Sequence, residues 1–66
     1  MENKKRICSM LLPVLQETRA GCDLIDIRYD DENETIELIF VAGYKKKVNV
    51  TADSGLAMIK DIVQQL

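Results

Sequence analysis

Sixty-six residues with a formal net charge of −2 suffice for one small domain, residues 1–66. Nine Lys and Arg against eleven Asp and Glu argue against a general affinity for nucleic acid, though not against a local basic patch. With no histidine and only two cysteines the common zinc sites are excluded, and no apolar run approaches the ~20 residues of a membrane span.

The spacing predicts a first helix over residues 3–20. Ile7, Leu11, Val14, Leu15 and Thr18 fall at i, i+4, i+7, i+8 and i+11, one amphipathic stripe. Pro13 lies opposite that stripe. The expectation is one kinked helix, or one that begins near Ser9 with Pro13 in its first turn. Lys4, Lys5 and Arg6 sit at the positive end of the longer helix, each unfavourable by roughly 0.3–1 kcal/mol at low salt. Gly21 is the expected C-cap. Cys8 and Cys22 lie near opposite ends of this helix, roughly 20 Å apart, whereas a disulfide needs its Cα atoms within about 7 Å. Two unpaired cysteines suit a reducing compartment, so a cytoplasmic location is expected.

Three strands follow. Ile25, Ile27 and Tyr29 share one face of the first, with Asp26, Arg28 and Asp30 on the other. In Thr35 to Ala42, Ile36, Leu38 and Phe40 face one way and Glu37, Ile39 and Val41 the other. In Tyr44 to Val50, Val48 and Val50 oppose Lys45, Lys47 and Asn49. Keeping the apolar sets together pairs Tyr29 with Ile36, Ile27 with Leu38 and Ile25 with Phe40. Asp31-Glu32-Asn33-Glu34 becomes a four-residue loop, and Arg28 falls opposite Glu37. The third strand pairs Leu38 with Val48 and Ile36 with Val50 around a turn of Ala42-Gly43-Tyr44, with Gly43 free to take φ > 0.

Thr51 or Asp53 is the expected cap of a second helix. Leu56, Ile59, Ile62, Val63 and Leu66 cover its apolar side, with Met58 at the margin. The order α-β-β-β-α predicts a two-layer α+β domain, a three-stranded antiparallel meander with both helices on one face. This order and length resemble the double-stranded RNA-binding domain. The resemblance is topological and implies the fold alone. That family opens its second helix with a phosphate-gripping lysine cluster, where this chain has Asp53-Ser54-Gly55-Leu56. Its first strand loop enters the minor groove, where this chain has the acidic Asp31-Glu32-Asn33-Glu34.

No nucleophile elbow, phosphate loop or dinucleotide fingerprint occurs, so no enzyme, cofactor or small-molecule substrate is expected. Asp30 to Glu34 lacks the alternate spacing and glycine of an EF-hand, so no metal is expected there. Lys45, Lys46 and Lys47 read either as protection of an edge strand or as phosphate contacts. Leu24, Ile39 and Val41 are expected to cluster on the outer sheet face, rimmed by Arg28 and Glu37. The leading expectation is a non-enzymatic protein-interaction module, homodimeric through that face. The alternative is a nucleic-acid-binding accessory protein that uses Lys45, Lys46 and Lys47.

Overall fold

The computed structural model describes residues 3–66 as α1 (Lys4–Gln16), β1 (Leu24–Asp30), β2 (Thr35–Phe40), β3 (Lys45–Asn49) and α2 (Gly55–Gln64). The strands form one antiparallel sheet in the order β1-β2-β3, the α+β arrangement that the pattern predicts. The central strand explains why. Ile36, Leu38 and Phe40 are buried, while Thr35, Glu37 and Ile39 between them are only partly covered. The buried set meets Cys8 and Leu15 of α1, Met58 and Ile62 of α2, and Leu24, Ile27, Val48 and Val50 in one cluster. One side of the pleat supplies the sheet's share of that cluster, and both helices join it. The helices therefore lie on the same face and leave the other face bare.

The first hairpin pairs Tyr29 with Ile36, Arg28 with Glu37 and Ile27 with Leu38, the expected register. It departs at its start. A β-bulge between Leu24 and Asp26 puts Leu24, not Ile25, opposite Phe40. Leu24 is thus a core residue at 1% exposure, and Ile25 is left 51% exposed. A bulge inserts one unpaired residue, which moves everything before it to the opposite face. Arg28 bonds its own neighbour rather than Glu37, with Nε 2.9 Å from Asp26 Oδ2. Both groups are solvated, so this pair contributes little.

The second hairpin is slipped by two residues from the expected register. Ile36 pairs with Val48 and Leu38 with Lys46. A slip of two preserves the faces. The turn is the cause. The Gly43 N–H donates to the Phe40 carbonyl at 2.9 Å and the Phe40 N–H to the Tyr44 carbonyl at 3.1 Å. That seats Phe40 beside Tyr44, with the rings stacked at 4.6 Å. Gly43 carries the turn's left-handed φ of 91°. Lys46 then lands on the core side and escapes it by length. Its Nζ stands over the Phe40 ring, 5.6 Å from the centroid, and donates to the Gln65 carbonyl at 2.6 Å.

α1 is the longer of the two alternatives. Asn3 Oδ1 accepts from the Arg6 N–H at 3.0 Å and starts the helix at Lys4, with Pro13 inside it. It ends at Gln16, four residues before the predicted end. Thr18 Oγ1 donates to the Leu15 carbonyl at 2.6 Å and accepts from the Gly21 N–H at 3.0 Å, closing the chain off early. Gly21 is a close-approach position and Glu17 the C-cap. α2 is capped by Ser54, not Thr51 or Asp53. Its core side is Met58 and Ile62, and Leu56 and Val63 are exposed.

Asp53 has another role. Its Oδ2 is shielded from water, and no N–H or hydroxyl group donates to it. The hydrogen bond it shares with Asp61 raises its carboxyl above the ordinary range. Partial burial and the charge on Asp61 add to this, and Lys4 opposes it. Two carboxyls bond each other only while one holds a proton. This contribution to stability is therefore fully present below the ordinary aspartate value and lost as pH rises through the raised one. Asp53→Asn, whose amide donates at any pH, is expected to flatten that slope in denaturant melts across the carboxylate range. An unchanged slope would refute the shared proton.

Candidate interaction surface

The outer sheet face loses the apolar centre expected of it. Leu24 is withdrawn into the core. Ile39 is half-buried between Asp26 and Lys45 on the flanking strands. Val41 lies beyond the end of β2, with its N–H donated to the Asp23 carbonyl at 2.8 Å and its side chain 68% exposed. Around them are charges in cross-strand rows, Arg28 beside Glu37 and Glu37 beside Lys47. A shallow depression of about 230 Å³ on this face is lined by Arg28, Tyr29, Asp30, Thr35, Glu37 and Lys47, charges of both signs among them.

The three lysines of β3 do not act together. Lys45 and Lys47 point outward, opposite Ile39 and Glu37. Lys46 is committed to the Gln65 carbonyl at the negative end of α2, where a cation is favourable. The other sheet edge is guarded as well. Asp26 Oδ1 accepts from the Ile27 N–H at 2.9 Å, in place of a neighbouring strand.

The surface that sequence reasoning missed is on the helical side. Met10 and Val14 of α1 are 62% and 60% exposed. With Ile7, Leu11 and Ile59 they line an apolar trough of about 290 Å³ between α1 and α2, with no charged residue in its lining. On α2, Leu56, Ile59 and Val63 fall at i, i+3 and i+7, and the outer two are exposed. A signal for this was present. Ile7, Cys8, Met10, Leu11, Leu12, Val14 and Leu15 occupy a wider arc of α1 than one sheet can cover. The core takes the Cys8–Leu15 side of that arc, and the Met10–Val14 side is left over. Met10 and Val14 are therefore neighbouring exposed apolar side chains rather than scattered ones.

Burial pushes the Cys8 thiol up, which makes it a poorer nucleophile. Cys22 is free and exposed. Among the described residues no group of three or more His, Cys, Asp or Glu is placed to hold a metal ion, and no helix is long and apolar enough to cross a membrane. Set against protein-family models, characterised proteins and solved structures, the chain matches none.

Proposed function

We propose that this chain is a small non-enzymatic protein-interaction module that associates with a second copy of itself through its helical side. The observation that carries this reading is the apolar trough flanked by Met10 and Val14. The open sheet face, with Ile39, Val41, Arg28 and Glu37, supports the same role less well, because charges surround Ile39 on both neighbouring strands. A nucleic-acid role is supported less again. It would rest on Lys45 and Lys47 alone, and affinity for phosphate grows with the number of cations engaged.

One pair of variants separates the two faces. Met10→Glu places a carboxylate where the interface excludes water, and an unpaired buried charge costs several kcal/mol, about enough to abolish a micromolar dimer. Ile39→Lys makes the comparable change on the sheet face, where the site is half-buried and a lysine can carry its charge out to solvent on a long stem. Light scattering is expected to give a dimer mass for the wild type and for Ile39→Lys. Met10→Glu should be a monomer with unchanged circular dichroism. The opposite pattern would return the interface to the sheet.

A further inference from the structure

We propose that the second copy docks with its α1 antiparallel to this α1, about a two-fold axis that passes between Met10 and Val14. This rests on the self-association through the helical side proposed above and specifies its geometry.

The charges of α1 carry the inference. The helix opens on Lys4, Lys5 and Arg6, with no acidic residue in its first turn and no basic residue in its last. Glu17 stands at its C-cap. Cations at the positive end and an anion at the negative end are both placed against the helix dipole. Lys4 finds a partner, its Nζ donating to the Val50 carbonyl at 3.1 Å. Arg6 and Glu17 are exposed, and among the described residues neither side chain forms an ion pair. Each end of α1 therefore presents a charge that its own helix disfavours.

Their positions match the apolar surface. Arg6, Met10 and Glu17 fall at i, i+4 and i+11, so the two charges flank Met10 on one side of the helix. In an antiparallel pair of α1 helices, Met10 meets the partner's Val14. Arg6 then lies within about one residue's rise, ~1.5 Å, of level with the partner's Glu17. The same contact recurs across the axis, because a two-fold interface is isologous. The opposed dipoles also place each positive end beside a negative one. A parallel pair would bring the two basic ends together instead. Ile59 joins α1 in lining the trough against which the partner's Met10 and Val14 would pack. A standard interface takes about 800 Å² per partner, a modest share of the 4557 Å² that the chain exposes.

Charge exchange tests the geometry. Arg6→Glu sets two acids against each other in both copies of the contact, and Glu17→Arg sets two bases against each other. Each change puts a favourable charge at its end of α1, so neither is expected to weaken the folded monomer. Each is expected to weaken self-association roughly ten-fold at low salt, with the loss fading as salt screens the contact. An equimolar mixture of the two variants should recover wild-type affinity, because both contacts in the heterodimer again join opposite charges. Native mass spectrometry distinguishes that heterodimer from either homodimer by mass. If the wild type is dimeric and Met10→Glu is monomeric, but neither charge variant weakens association, the antiparallel geometry is wrong and the helical interface stands. If the mixture shows no preference for the heterodimer, the geometry fails likewise. A wild type that remains monomeric at every concentration, or a dimer that survives Met10→Glu, overturns the proposed self-association itself.

Discussion

Leu38→Ala is expected to remove about 2–5 kcal/mol of stability, the range for truncating a buried leucine that leaves a cavity. Leu38 is fully buried in the central strand, between Ile27 on one neighbour and Lys46 on the other, and joins the cluster that both helices complete. A chain of this length has a thin stability margin, so the loss is a large fraction of the whole. A urea melt with a fall in midpoint and an unchanged slope is the expected record. A loss below about 1 kcal/mol would mean that the core is far looser at its centre than its burial indicates.

Gly21→Ala is expected to destabilise by about 1–3 kcal/mol, through crowding rather than a cavity. A Cβ at Gly21 would lie 2.5 Å from the Leu15 carbonyl oxygen and 3.1 Å from Thr18 Oγ1. That carbonyl has little freedom to retreat, because it accepts from the Thr18 N–H at 3.0 Å and from Thr18 Oγ1 at 2.6 Å. The end of α1 would have to open to admit one methyl group. A Gly21→Ala protein within about 0.5 kcal/mol of wild type would show that the loop moves aside freely.

The order of elements and the buried side of β2 and β3 were legible because period-2 alternation survives any slip of two residues. Val48 and Val50 are both apolar, so the pattern could not choose which of them faces Ile36. That choice lay with the turn and with the Phe40–Tyr44 stack. The bulge at Ile25 had no signature at all. Leu24 and Ile25 are both aliphatic, and either could take the place beside Phe40. This one position undid the expected outer-face cluster, since Leu24 was its third member. The helical surface was missed for a related reason. The predicted stripe of α1 placed Leu15 correctly, but it also took in Val14 and Thr18, which are exposed. A stripe drawn that wide takes a bare ridge for core. In α2 the predicted stripe exchanged Leu56 and Val63 for Met58.

The strand order β1-β2-β3 has a consequence for how quickly the chain reaches its native state. Each strand pairs with its neighbour in sequence through a short turn, so the sheet assembles without closing any long loop. The distant contacts are those of the ends, where Lys4 reaches Val50 and both helices pack on the sheet. Topologies rich in local pairing fold faster than those that must first join remote segments. Such a chain spends little time with its core side chains exposed, which limits aggregation of a small domain with a thin stability margin while it folds.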